Sequence, residues 1–262
     1  MNRISAVREH PPVTTQDAFF NGKFELIQPN DGSHRAGLDA LLLSACIPVD
    51  FAGRLADFGA GAGAAGIAVA CRSFAAKVDL IEYDADITAL AARTLKLPAN
   101  RKMYGRVKIV CADVTLSGKA REDAGLVNGA YDQVIMNPPF NDPSHRPSPV
   151  LSRKDAHVMG IGGLDPWLRS AAATLRSTGK VAMIFRPSGI GLILAAFQGR
   201  FGSARIIPVH PKAGEPANRI LVLADKGAKG ATSIHPGFVV HQENGEFTYA
   251  AEEIFSGQRV LV

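Results

Sequence analysis

Residues 54–66 read Arg54-Leu55-Ala56-Asp57-Phe58-Gly59-Ala60-Gly61-Ala62-Gly63-Ala64-Ala65-Gly66. An apolar run that ends on an acid and breaks into alternating glycines is a buried strand turning sharply into a helix, because glycine enters the left-handed backbone region without a Cβ clash. Such a loop brings main-chain N–H groups and a helix N-terminus up to a ligand. Two readings of its spacing are open. Counted from Gly61, Gly61-x-Gly63-x-x-Gly66 is the spacing of a nicotinamide dinucleotide loop, with Glu82 placed to accept bonds from ribose hydroxyls. Counted from Asp57, the same stretch is D-x-G-x-G-x-G.

Outward from this loop the pattern is regular. Strands are predicted at 54–58, 77–82, 107–112, 133–136 and 180–185, and helices at 64–74, 84–95, 165–175 and 189–201. Asp84 or Asp86 is available to cap the second helix, while Pro166 and Gly179 punctuate the third. Strands alternating with helices need crossover connections, so the chain is read as α/β with a largely parallel sheet covered on both faces. The last two strands, 206–210 and 219–224, have no helix between them and are expected to pair antiparallel at one edge. Farther on, 239–242 and 247–250 flank Glu243-Asn244-Gly245-Glu246, a hairpin-turn signal. Upstream, 19–28 reads as a hairpin or strand pair and 38–46 as a helix entered from Asp39. The expected organisation is a cover segment over 1–50, a catalytic core over 51–226 and a hairpin extension over 227–262.

Length and composition bound the function. At 262 residues, 47% hydrophobic and 20% charged, the chain buries one sizeable core and is not disordered. No apolar run reaches the roughly 18–20 residues of a membrane span, and the N-terminus lacks a secretory apolar region, so a cytoplasmic protein is expected. Cys46, Cys71 and Cys111 sit in apolar runs without a C-x-x-C, which reads as buried reduced thiols, with no metal site expected. Twenty-nine lysines and arginines against twenty-four acids give a charge of +5, too small an excess to identify a polyanionic partner by itself.

The chemistry is written at the strand ends. Glu82 and Asp113 each end a strand where ligands dock on parallel sheets, and either carboxylate can accept hydrogen bonds from a nucleoside. Asn137-Pro138-Pro139-Phe140 follows the strand at 133–136. Its two prolines fix the backbone, holding the Pro138 carbonyl rigid beside the Asn137 amide, and Phe140 offers a flat ring. Two acceptors and a ring suit an exocyclic amino group on a planar base, whereas a bare Asn-Pro turn would need none of them.

Taken together and in order, D-x-G-x-G-x-G, Glu82, Asp113 and N-P-P-F resemble the class I S-adenosylmethionine-dependent methyltransferases, in particular those that methylate amino groups. The resemblance implies a Rossmann-like seven-stranded sheet with an antiparallel edge strand. It implies that Asp57, Phe58, Gly59, Ala60, Gly61, Gly63, Glu82, Tyr83, Asp113 and Val114 hold S-adenosylmethionine, whose ammonium and sulfonium suit an anion at Asp57. It implies that Asn137, Pro138, Pro139 and Phe140 carry catalysis, with the amino group transferred to directly and no metal or covalent intermediate. The N-terminal Gly37-Leu38-Asp39-Ala40-Leu41-Leu42 and the later Phe185-Arg186-Pro187 are similar to the small-domain RNA methyltransferases, most of all to the tRNA adenine-N6 group acting beside a valine anticodon. Gly37-Leu38 departs from that group's pattern, so Asp39 is either a cofactor-site residue or a helix cap. A guanine-N2 rRNA enzyme, a protein-glutamine N5 enzyme, a nicotinamide enzyme and a non-catalytic RNA-binding module are the alternatives. For a tRNA or other structured RNA, His145, Arg146, Arg153, Lys154, Lys212 and Arg219 are the candidate backbone contacts. Arg93, Lys96, Arg101, Lys102, Arg106 and Lys108 are read as a solvated face.

Overall fold

The computed structural model describes residues 13–30, 37–139 and 163–261. β1 (Thr14–Phe19) and β2 (Phe24–Pro29) form the expected N-terminal hairpin. It docks through polar contacts at its backbone: Ile27 N–H donates to Thr94 Oγ1 at 2.9 Å, and the Asn100 amide exchanges bonds with the Glu25 main chain. α1 (Leu38–Ser44) buries Leu41, Leu42 and Leu43 against the same core.

β3 (Arg54–Phe58) lies at the centre of the main sheet. α2 (Ala64–Arg72), β4 (Lys77–Glu82), α3 (Ala85–Leu95) and β5 (Val107–Cys111) carry the chain outward to one edge. A 3-10 turn, Pro98–Met103, precedes β5. After α4 (Gly118–Asp123), β6 (Tyr131–Met136) returns to the other side of β3, and α5 (Asp165–Thr174) leads into β7 (Leu175–Phe185) beside it. β7 starts five residues before the expected strand, through a register shift opposite Tyr131 and Gln133. α6 (Ile190–Phe197) then connects to β8 (Phe201–Lys212) and β9 (Arg219–Lys226).

The strand order is β5-β4-β3-β6-β7-β9-β8. β9 is antiparallel to both neighbours and is inserted between β7 and β8, so the antiparallel pair at this side is in place but its reversed strand is interior. Among the described residues the expected seven strands become nine, because β10 (Ser233–Ile234) and β11 (Phe238–His241) add parallel pairings along the outer side of β8. That covers backbone groups which an edge strand would otherwise expose.

Alternation along β3 explains its continuous apolar reading. Leu55 faces a core shared with Ile67, Val69, Leu80 and Leu42, whereas Ala56 and Phe58 face a second core with Trp167, Leu168, Ile193 and Met183. Both faces of a parallel strand are buried, so neither is polar.

Three expectations need correction. The hairpin at 239–250 is a turn with only one arm: Gly245 is left-handed and Gln242 N–H reaches Glu246 O, but past a single bridge from His241 to Phe247 the chain enters α7 (Tyr249–Phe255). Thr248 caps this helix, its Oγ1 accepting from Ala251 N–H at 3.2 Å, and Ala250, Ala251, Glu252 and Glu253 favour helix over strand. Asp39 does not cap α1. Gly37 occupies the N-cap, and Asp39 Oδ2 instead pairs with Arg219 Nε at 2.8 Å. Cys46 and Cys71 are buried free thiols, but Cys111 is exposed because β5 is the sheet edge.

Candidate active site

The cofactor loop is held open by backbone bonds. Gly59, Gly61 and Gly63 have φ of +67°, +56° and +95°, three left-handed residues in five positions. Gly59 and Ala60 both donate to Ile81 O at 2.9 and 3.0 Å, and Gly63 N–H donates to Ala60 O, so the turn is pinned to β4 before α2 begins. A side chain at Gly59 would strike Trp167, whose Cη2 lies 2.6 Å from the Cβ position, whereas a Cβ at Gly61 meets nothing. The loop is therefore packed from below and open above.

Two carboxylates flank this opening. Asp57 is buried on the β3 end and accepts from Gly66 N–H in α2 at 2.8 Å; a Cβ at 66 would stand 2.4 Å from Leu80 Cδ2 and 3.0 Å from Asp57 Oδ2. Burial pushes its carboxyl up to about 7, opposed by the Gly66 bond and reinforced by the charge on Glu82. Glu82 ends β4. Its Oε1 accepts from Tyr83 and Asp84 N–H at 2.9 and 3.0 Å and its Oε2 from Gly61 N–H at 3.0 Å, while burial raises its pKa. Oε2 has one donor and a lone pair to spare. Two desolvated anions beside an open glycine turn, one of them poised near neutrality, fit a cationic nucleoside ligand and suit a pyrophosphate poorly.

Asp113 lies two residues beyond β5 on the adjacent strand end. It is exposed, and its Oδ1 accepts from Thr115 N–H and Oγ1 at 2.8 and 2.6 Å. Val114 behind it is buried and Tyr83 is exposed.

Asn137 emerges on the opposite side of the loop. Phe58 is in register with both Ile81 and Met136, so Gly59, Glu82 and Asn137 leave three adjacent strands at one level, each strand about 4.8 Å from the next. The Asn137 Oδ1 is buried and has no hydrogen-bond partner among the described residues, and Pro138 beside it is buried. Leaving a buried acceptor unmet costs roughly 1–3 kcal/mol, so such an atom awaits a donor. The sequence reading missed Trp167, the single tryptophan of the chain. It is buried beneath Gly59 and its Nε1 likewise lacks a partner among the described residues. On an amphipathic helix it carries no signal beyond that of a core residue.

Phe140, His145, Arg146, Arg153 and Lys154 lie outside the described residues. Lys212 and Arg219 stand at the same end of the sheet as Asn137. Lys212 Nζ donates to Glu243 O at 3.0 Å, and Arg219, tied to Asp39, also donates from Nη1 to Asn218 O. Among the described residues no cluster of metal-ligating side chains occurs, and no helix is long and apolar enough to cross a membrane.

This strand order, with one reversed strand beyond β7 and acids at the ends of β3 and β4 around a three-glycine turn, is that of a class I S-adenosylmethionine-dependent methyltransferase. The family model for the methyltransferase small domain matches residues 35–189, and the chain belongs to that family. Its cofactor is S-adenosylmethionine. The chain is similar to the tRNA1(Val) (adenine(37)-N6)-methyltransferase of Pedobacter heparinus, at 27% identity over 90% of this chain and 94% of that one. It is also similar to the crystal structure of a predicted O-methyltransferase from Agrobacterium tumefaciens, with 36% identity, a TM-score of 0.74 and coverage of 85% and 97%. The T. thermophilus 16S rRNA N2 methyltransferase, solved with AdoMet and guanosine, shares the fold at 19% identity and a TM-score of 0.55 over 82% of this chain and 50% of that one.

Proposed function

We propose that this methyltransferase acts on the exocyclic N6 of an adenine in tRNA, in the cytoplasm. The observation that carries the reading is the buried Asn137 Oδ1, without a partner among the described residues, at the level of the glycine turn. An amino nitrogen conjugated with a purine ring is a poor nucleophile. Acceptors on its two hydrogens, here the Asn137 Oδ1 and the Pro138 carbonyl, favour a pyramidal nitrogen with an available lone pair and act most strongly in the transition state. Phe140 stacks on the base, which leaves a single-stranded loop at little cost.

Asp57, Glu82 and the 58–63 loop hold the cofactor, with Tyr83, Asp113 and Val114 along the side toward β5. When bound, S-adenosylmethionine supplies an electrophilic methyl on a sulfonium. The chain's own contribution is to orient the acceptor nitrogen and exclude water. The names of relatives such as the Pedobacter heparinus enzyme support adenine in tRNA over guanine. A hydroxyl acceptor, which the Agrobacterium likeness raises, would need a base to take its proton, and an amide with a proline carbonyl provides none.

Incubation with methyl-labelled cofactor and, separately, bulk tRNA, ribosomal RNA and release-factor protein tests the substrate class. Label in tRNA is expected. Label confined to protein or ribosomal RNA overturns the reading.

A further inference from the structure

At the end of the sheet opposite the cofactor loop, a cleft of about 300 Å³ is lined by Arg54, Lys77, Asp79, Gly105, Arg106 and Lys108. Strand register builds it. Arg54 pairs with Lys77 across β3 and β4, and Asp79, on the same face as Lys77, pairs with Lys108 on β5. Four cationic side chains thus surround one carboxylate, and that carboxylate is already engaged, accepting from Arg54 Nη2 and Tyr131 Oη, each at 2.9 Å. The Arg106 guanidinium is fixed by the carbonyls of Ala70, Ser73, Ala76 and Lys102. Tyr104, 79% exposed, immediately precedes Gly105 of the lining, and Phe74, 71% exposed, follows Ser73 in the chain. Arg101 and Lys102 on the preceding turn are exposed as well.

We propose that this cleft is a second RNA contact, holding backbone phosphate on Lys77 and Lys108, with the fixed charge of Arg106 behind them, while Tyr104 stacks on an unpaired base. The inference rests on the tRNA reading above and extends it. Two lysines with no carboxylate partner among the described residues, in a concavity whose lining an exposed tyrosine adjoins in the chain, are the makings of a nucleic-acid platform, since phosphates supply the affinity and any base offers a face to stack. The cleft lies roughly 17 Å from the level of Glu82, five residues of strand away. A substrate that fills both sites must therefore reach along the full length of the central strands.

The test is binding of the full chain to bulk tRNA at several salt concentrations, with S-adenosylmethionine binding as the check on folding. For Lys77→Glu/Lys108→Glu we expect tRNA affinity about tenfold weaker and a salt dependence shallower by roughly 1–2 in log–log slope, with cofactor affinity unchanged. Should that variant lose cofactor binding, the milder Lys77→Gln/Lys108→Gln is read instead, with the same signs. Tyr104→Ala should weaken binding several-fold at an unchanged slope, because stacking releases no counterions. Wild-type affinity and slope in the charge variant overturn the proposal. So does wild-type protein that binds phosphatidylserine vesicles and no tRNA, which would assign the cleft to a membrane surface. If wild-type protein binds tRNA through these residues but methylates none of it, the cleft stands and the catalytic reading fails.

Discussion

Asp57 is the residue where stability and function pull apart. Its carboxyl in the folded chain sits near 7, above its ordinary value, so the protonated form is the one the fold favours. As pH rises from about 4 to about 7 this group removes stability, and above that range it removes no more. Asp57→Asn carries no charge to desolvate. Its melting temperature relative to wild type should therefore shift in the variant's favour between pH 5 and pH 8; a difference that is constant with pH would show that Asp57 is not strained by burial. Cofactor binding should have the opposite dependence, wild-type affinity rising with pH through about 7 and the variant staying weak and flat in calorimetry. Asn137→Ala probes the other half of the site. It should lower single-turnover transfer by roughly 10²–10³ while leaving cofactor affinity within a few-fold, as expected when a transition-state acceptor is removed. Both residues were legible in the sequence because a polar side chain ending an apolar strand has no packing reason to be there. Trp167 was not, since burial is what its helix predicts anyway.

Among the elements, those that the structure shares with the sequence reading are those whose two faces are set by local pattern. β3, β4 and α3 fall where their apolar runs and caps place them; the Asp84 side chain accepts from Asp86 and Ile87 N–H as its position before the helix requires. Besides the early start of β7 and the pairing of Asp39 with Arg219, the topological differences come from the chain after residue 200. Nothing in the 219–226 run says that it inserts between β7 and β8, because strand order is a tertiary choice that local periodicity does not encode. The Asn244-Gly245 turn signals a hairpin because turn chemistry is local, but Thr248 and the alanines after it commit the chain to α7. Thr248→Ala should cost about 1 kcal/mol in chemical denaturation through the lost cap, and a variant with unchanged stability would show that α7 is held by packing alone. At the glycine turn, Gly59→Ala combines a left-handed backbone, costing about 1–2 kcal/mol, with a clash on Trp167. A melting temperature lowered by several degrees and weakened cofactor binding should follow, and a wild-type melt would show that Trp167 moves freely.

For the molecule as a whole, class was written in one ordered set of signals, and substrate was not. The acid and glycines of β3, Glu82 on β4 and Asn137 on β6 are far apart in sequence, and only the parallel register brings them to one level around a single opening. The charge of +5 said little until the fold collected Lys77, Arg106 and Lys108 at one end of the sheet. Base identity is carried by the fit between one acceptor pair and one amino group, a matter of tenths of an ångström that composition and spacing do not encode. Digestion of tRNA methylated by the wild-type chain to nucleosides, followed by mass spectrometry, reads that fit directly. The account predicts N6-methyladenosine as the labelled product. Label in N2-methylguanosine or in a ribose 2′-O-methyl group would contradict it.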